Sequence, residues 1–246
     1  MNSTDTQTRH ETLERDLERN RPRIRVGWVA AAAAAAAVVA ALVLVDASRD
    51  DRSVTPAGPV DKEAATELAT DFVDAVAAYD ADRAASYLAD DSRVALWSSA
   101  SDVDAMAREL RWSQAAGVRL LPGRCEFEGV SGRASTVVCP FDFHAFGSQR
   151  LGRGPFSDSE FRVTAVDGEI VAAEFVGDWE TEGFTATMWE PFNAWLVSSH
   201  ADQAALMYAD WPGWPLTLPA LDNRSARLWT KNIDGYVRAV ERGDAF

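Results

Sequence analysis

The chain has 246 residues, with 38 acidic and 24 basic side chains and a formal net charge of −14. Residues 1–25 carry six Arg against five acids, whereas residues 46–246 carry 18 basic and 33 acidic side chains. An excess of acids of this size excludes nucleic acid as a partner, because the phosphate backbone requires a basic surface.

An apolar run without any charged residue extends over residues 26–45. Twenty helical residues, each rising about 1.5 Å, span about 30 Å, the thickness of the hydrocarbon core of a bilayer. Arginines crowd the N-terminal flank, Trp28 lies one turn inside it, and acids dominate the other flank. The positive-inside rule therefore predicts a single-pass transmembrane helix in the cell membrane, with residues 1–25 as a cytoplasmic tail and the following domain extracytoplasmic.

Two alternatives to an uncleaved anchor exist. The sequence Val45-Asp46-Ala47 resembles a signal-peptide cleavage site, and the alanine tract over 30–37 is also compatible with a solvent-exposed helix. The apolar core of a cleavable signal is usually only about 7–15 residues long, so the longer run favours the anchor. The polar, Pro- and Gly-containing residues 46–60 predict a flexible stalk.

Residues 61–117 show helical spacing. Asp61 is predicted to cap a first helix, and Asp80 a second, shorter one that ends at residues 90–92. A short strand over 94–97 is expected to follow. The apolar stripe of the first helix contains Leu68, Phe72, Val76 and Tyr79, and that of the second contains Ala84, Tyr87 and Leu88.

A third helix is predicted to begin at Ser101, with Asp104 in the capping-box position. Its apolar stripe contains Val103, Met106, Ala107 and Leu110. Gly117 is expected to close it, because the residue after a helix commonly adopts a left-handed conformation.

From Val118 the apolar period changes to two, which predicts two antiparallel hairpins. The first turns at Ser131-Gly132-Arg133, and the second at Asp167-Gly168, a dipeptide strongly favoured in two-residue turns. The predicted strands are 124–130 with 134–146, and 159–166 with 169–176.

Helical spacing returns after Gly177, with predicted helices over 184–199 and 202–208 and a last helix striped by apolar residues. His200 lies at the junction of the first two, where a capping role is the simplest interpretation. Helices, then an antiparallel sheet, then helices define an α+β domain rather than a βαβ fold. The stripe of the last helix contains Leu228, Trp229, Ile233, Val237 and Val240.

Cys125 and Cys139 are the only cysteines. If the first hairpin pairs about Gly132, the two thiols lie directly opposite each other, at a distance that a disulfide can bridge. An extracytoplasmic location permits oxidation, so we predict a disulfide. The histidines offer no ligand spacing typical of zinc, and neither a metal nor a cofactor is expected.

Residues 72–91 resemble the opening helix pair of the SnoaL-like branch of the nuclear transport factor 2-like superfamily, and residues 163–170 resemble its late hairpin. The resemblance covers 61–177, while 178–246 resemble a helical extension found in some membrane-anchored actinobacterial relatives of unknown function. It implies a cone-shaped α+β domain with a curved antiparallel sheet, N-terminal helices, a C-terminal helical extension and a pocket, often in a homodimer. The family includes isomerases, cyclases, epoxide hydrolases and proteins without catalysis, and none of its catalytic residues matches a position here.

Three side chains could do chemistry in such a pocket. Asp142 and His144 share one side of their strand and could act as a general acid/base pair, although a polar face more often meets solvent or a dimer partner. Glu174 is predicted to lie opposite Phe161 on an apolar side, where its pKa would be raised and it could act as a base. The alternative places Glu174 at the rim of the sheet or beside an arginine.

Six of the nine tryptophans lie in the last 68 residues. Trp211 and Trp214 frame a Pro-Gly turn that could stack on a sugar of the cell envelope. The alternative is that the indoles pack the 178–246 extension onto the domain, since large aromatic side chains dominate protein cores.

The leading functional hypothesis is a membrane-anchored, extracytoplasmic SnoaL-like domain without catalysis that binds a small ligand or a cell-envelope protein. The first alternative is an isomerase or hydrolase that uses Glu174 or the Asp142–His144 pair. The second is a scaffold that dimerises through an open sheet face.

Overall fold

The computed structural model describes residues 61–96, 102–177, 183–209 and 219–245. The predicted transmembrane helix over 26–45, the tail before it and the stalk over 46–60 lie outside these ranges. None of the helices within the described ranges combines the length and the apolar character that crossing a bilayer requires.

Two helices, α1 (Lys62–Ala77) and α2 (Ala81–Ala85), open the described part of the chain, and a third, α3 (Val103–Ala115), follows the first strand. The predicted cap of α1 is confirmed, because Asp61 Oδ1 accepts hydrogen bonds from the N–H groups of Glu63 and Ala64 at 3.0 and 3.1 Å. For α3 the prediction was one residue early. Asp102 rather than Ser101 is the N-cap, and its Oδ1 accepts from Ala105 N–H at 2.7 Å.

The first strand, β1 (Leu88–Ala95), begins six residues before the predicted strand start at Val94. Residues 90–92, predicted to end the second helix, therefore belong to a strand. β1 pairs in parallel with the distant strand β6 (Glu169–Val176), and Ile170 N–H donates to Tyr87 O at 2.9 Å. These hydrogen bonds come from a segment far away in the chain, so the local spacing of apolar residues could not show them.

The sheet has six strands in the order β1-β6-β5-β4-β2, with β3 also paired to β4. Except for the parallel β1–β6 pair, neighbouring strands are antiparallel. Both predicted hairpins are present, and β2 was not predicted. The remaining strands are β2 (Arg119–Pro122), β3 (Glu126–Ser131), β4 (Ala134–His144) and β5 (Phe156–Val166).

The register of the first hairpin brings the cysteines together. Next to the turn, Val130 pairs with Ser135, one residue out of the predicted register. A bulge between Phe127 and Gly129 restores that register, so that Phe127 pairs with Val137. Cys125 and Cys139 then lie opposite each other and form a disulfide with a Cα–Cα distance of 4.0 Å, which confirms the predicted bond.

The C-terminal part consists of a π-helix (Thr185–Trp189), α4 (Glu190–Met207) and α5 (Asn223–Arg242). The predicted junction near residue 200 is confirmed, because His200 has non-helical angles (φ −146°, ψ 46°) and divides α4. Hydrogen bonds from side chains of α5 hold the end of α4. The carbonyl oxygen of Met207 accepts from Ser225 Oγ at 3.2 Å and from Trp229 Nε1 at 3.3 Å.

Tyr208, at the end of α4, belongs to a second buried connection. Its hydroxyl donates to Asn193 Oδ1, while Asn193 Nδ2 donates to Trp189 O at 2.7 Å. The first turn of α4 and its far end are thus joined through one amide side chain. Because the Tyr208 side chain is buried, its pKa is raised above the ordinary value of a phenol.

We expect the disulfide to contribute about 3 kcal/mol to the free energy of unfolding. The bond closes a short loop in the unfolded chain and so lowers the conformational entropy of that state. The two cysteines are 14 positions apart. Denaturant titration with and without dithiothreitol measures the difference. The Cys125→Ala/Cys139→Ala variant should match the reduced protein and show no response to the reductant; a response would assign the effect to something other than this bond.

The raised pKa of Tyr208 predicts a loss of stability in alkali. The unfolded chain releases this proton first, so stability that is complete below pH about 10 is lost progressively above it. Tyr208→Phe removes this contribution, and its free energy of unfolding should fall less steeply between about pH 9 and pH 11. Urea titrations across this range give both slopes, and equal slopes would show that Tyr208 does not contribute.

Candidate functional site

The chain turns sharply just after β4, at Phe146 and Gly147. Both residues have left-handed backbone angles (φ 56° and 76°), and Phe146 is only 1% exposed. Its N–H donates to Ala116 O at 3.0 Å, which ties the corner to the end of α3. The Phe146 side chain consequently points into the space between the sheet and the C-terminal helices.

The ring of Phe146 is the centre of an aromatic cluster that fills this space. Its centroid lies 5.2 to 5.5 Å from the ring centroids of Phe184, Trp189, Phe192 and Trp229. Trp229 in turn packs edge-on against Trp112 of α3 at 5.6 Å. The tryptophans of the extension that the structure describes thus serve packing, as the second sequence interpretation expects.

Among the described residues, a pocket of about 10 Å³ lies against this cluster, with room for about one water-sized molecule. Its walls are apolar, and the indole N–H of Trp112 has no hydrogen-bond partner. This pocket offers little volume for a substrate. The residues that line it are Trp112, Val118, Phe143, Ala145, Phe146, Phe184 and Trp189.

Asp142 and His144 lie on the side of β4 opposite to its buried residues. Val137, Cys139 and Phe141 face the core, as predicted, while Asp142 and His144 are half-buried. His144 Nδ1 lies 3.2 Å from Ser148 Oγ, which also accepts from Ala145 N–H at 3.2 Å. No hydrogen bond joins Asp142 to His144, so the two side chains do not form the pair that acid/base catalysis would need.

Glu174 does not lie opposite Phe161, so the predicted register was wrong at this point. A bulge in β6 near Val171 shifts the pairing, and Glu174 faces Arg162. Ile170 and Ala173 point into the core, whereas Glu174 is exposed. The bulge exchanged the two faces of the strand, because inserting one residue reverses the alternation of side chains.

Sequence reasoning missed a buried carboxylate, Glu109 of α3, which is 1% exposed. The signal was present in the sequence: Glu109 lies three residues after Met106 and four before Ser113, on the same side of the helix. Its carbonyl oxygen accepts from Ser113 Oγ at 2.9 Å. An acid at this spacing within an apolar stripe indicates a buried carboxylate.

Arg119 and Tyr79 were missed for a different reason. Arg119 begins the unpredicted strand β2 and pairs directly with His144, and its Nη1 donates to Gln149 Oε1 at 3.2 Å. Tyr79 follows α1 in a left-handed conformation (φ 59°), outside the helix predicted to contain it. Burial raises the pKa of Tyr79, while the charge of Arg119 lowers it by a smaller amount.

The remaining sequence candidates give no site in the structure. Trp211 and Trp214 lie outside the described residues. Among the side chains that are described, no group of three or more His, Cys, Asp or Glu residues is arranged to hold a metal ion.

No family model matches the chain, and neither does any curated protein. Solved structures do match, each over about half of this chain. A candidate polyketide cyclase from Xanthomonas campestris is 16% identical, with a TM-score of 0.37 over 49% of this chain and 94% of its own. An NTF2-like protein of unknown function from Cytophaga hutchinsonii is 10% identical, with a TM-score of 0.35 over 51% and 96%. A candidate ketosteroid isomerase from Shewanella frigidimarina is 11% identical, with a TM-score of 0.35 over 46% and 94%.

The packing of the corner after β4 predicts that two glycines differ in how much stability is lost when each is replaced by Ala. A Cβ at Gly147 would overlap Val237 Cγ2 of α5, whereas a Cβ at Gly152, also left-handed, would meet no atom within 4 Å. Both substitutions to Ala carry the strain of a left-handed conformation, about 1 kcal/mol. We expect Gly147→Ala to lower the free energy of unfolding by about 2 kcal/mol more than Gly152→Ala, because the core must also shift. Chemical denaturation measures both, and equal losses would contradict the close packing of this corner.

Proposed function

We propose that this chain is a membrane-anchored, extracytoplasmic domain of the SnoaL-like type that carries out no reaction and binds a cell-envelope protein through its surface. The observation that carries the proposal is the filled cleft. Phe184, Trp189 and Trp229 of the C-terminal part occupy the space between sheet and helices around Phe146. Because these rings take that space, we place the contact surface for the partner on the outside of the domain.

The candidate catalytic side chains support the same proposal. Glu174 is exposed and faces Arg162, and His144 contacts Ser148, whose side chain is itself buried. A general base needs to lie within hydrogen-bond reach of a bound substrate. None of these side chains lines the residual space in the aromatic cluster.

Two observations support the location. The apolar run over 26–45 has the length of a bilayer-spanning helix and a basic N-terminal flank. The Cys125–Cys139 disulfide fits an oxidising compartment outside the cytoplasm. The SnoaL-like assignment is supported by the element order of the described residues, in which two helices, a strand and a third helix precede the antiparallel strands.

If the cleft is filled, the wild-type protein should not bind a small apolar molecule in it. Removing one ring should create a cavity that does. Phe184, 3% exposed, packs 5.3 Å from the ring centroids of both Phe143 and Phe156. Phe184→Ala should lower the free energy of unfolding by about 3–5 kcal/mol and leave a cavity. Benzene should then raise the thermal midpoint of the variant and leave that of the wild type unchanged.

Phe184→Leu keeps most of the side-chain volume and serves as a milder variant. Val197→Ala changes an exposed position and is the control for effects of benzene outside the cavity. Stabilisation of the wild type by benzene as large as that of Phe184→Ala would show an open cleft and overturn the proposal. The location is tested separately with a reporter fused after Phe246. A cytosolic reporter, or recovery of the intact protein in the soluble fraction, would overturn the anchor.

A further inference from the structure

A group of hydrogen-bond donors lies where β2 meets the last residues of β4. We propose that Arg119, His144 and Tyr79 form a binding site for a small anion, the carboxylate or phosphate group of a ligand. The inference goes beyond the function proposed above and depends neither on the membrane anchor nor on the absence of catalysis.

Arg119 is held in position without being neutralised. Its Nη1 donates to the neutral amide oxygen of Gln149, and no carboxylate of the described residues lies within 4.0 Å of its guanidinium. By contrast, Arg162 is paired with two glutamates, and Arg150 with Asp234 and Glu241. The Arg119 guanidinium therefore keeps its full charge and its remaining N–H donors, the fork that matches a carboxylate or a phosphate.

His144 supplies a second donor on the same side of the sheet. Arg119 and His144 are direct partners in the β2–β4 ladder, so their side chains leave the sheet side by side. Ser148 Oγ accepts from Ala145 N–H and can direct its own proton to Nδ1 of His144. With Nδ1 engaged by Ser148, Nε2 is the ring nitrogen that is left for a ligand.

Tyr79 stands at an unusual helix end, directly after α1. Its N–H donates to Val76 O, and the N–H of Asp80 donates to Ala75 O, both at 3.0 Å. In this motif the left-handed position ordinarily holds glycine, because a side chain there is strained. The tyrosine brings a phenol close enough to Arg119 for the guanidinium to influence its pKa. Backbone strain of this kind is typical of functional positions.

Asp142 limits what the site accepts. It lies on the same side of β4 as His144, two residues away, and no carboxylate oxygen of Asp142 lies within the 4.0 Å ion-pair distance of Arg119 or His144. Its charge opposes a bound anion, so the site favours one compact anionic group over an extended polyanion. Removing the charge should strengthen binding of a simple anion.

The test uses the full-length chain in a non-ionic detergent, titrated with inorganic phosphate and, separately, with acetate. The ring ¹H–¹⁵N signals of His144, assigned with His144→Gln, report binding at the site. We expect a saturable shift with at least one anion, and the tighter of the two identifies the group that the natural ligand carries. Absence of a saturable shift with both would overturn the proposal.

Matched variants separate a built site from general attraction of anions. Arg119→Gln should weaken binding about tenfold or more, the loss expected for a charge-assisted hydrogen bond, and Asp142→Asn should strengthen it about threefold. Arg124→Gln, an exposed arginine without an ion pair, should change the Kd less than about twofold. Equal weakening by Arg119→Gln and Arg124→Gln would mean an adventitious ion only and overturn the proposal.

Tyr79→Gly and Tyr79→Phe test the third donor, and the thermal midpoint reports how each change affects the fold. Glycine relieves the left-handed strain but loses the half-buried ring, so its midpoint reflects the balance of the two effects, while anion binding should weaken. Tyr79→Phe keeps the ring and the strain and should weaken binding without raising the midpoint. Wild-type affinity in both variants would remove Tyr79 from the site and overturn its assignment.

Discussion

The packing of one phenylalanine joins the two halves of this domain. Phe146 stands at a left-handed corner after β4, is tied to the end of α3 by a backbone hydrogen bond, and is enclosed by aromatic rings of the π-helix, α4 and α5. Gly147 is required beside it because α5 passes too close for any side chain. The sheet and the C-terminal helices consequently share one hydrophobic core, and neither could bury its aromatic residues without the other.

That packing also limits the room for a ligand between the sheet and the helices. A sheet covered by helices on one side is the kind of architecture in which an internal ligand site could form, but here large rings occupy the interior. The donors of the proposed anion site, on Arg119 and His144, lie instead at the edge of the core. In the function that we propose, recognition takes place at the surface, and the packed interior makes that surface rigid.

Local signals in the sequence predicted the helices and hairpins whose ends depend on single residues, such as Asp61, Gly117 and the Asp167-Gly168 turn. The disulfide followed from the register of one hairpin, although the bulge at residues 127–129 that secures it left no clear trace. The predictions were wrong where the pairing of strands decides the structure. Residues 88–95 form β1 because they pair with the distant strand β6, and Glu174 faces outward because a bulge in β6 shifts its register with β5. Glu109 is different, because its place in the apolar stripe of α3 could have been recognised.

The parallel pairing of β1 with β6 has a consequence for how the domain assembles. Leu88 lies beside Ile170, so all the other strands of the sheet lie between these two residues in the chain. The antiparallel strands β3 to β6 are neighbours in sequence and close small loops, whereas β1 must close the largest loop in the sheet. If synthesis and export deliver the chain from its N-terminus, β1 emerges before every other strand. Its pairing in the sheet can nevertheless form only after β6, the last strand, has emerged.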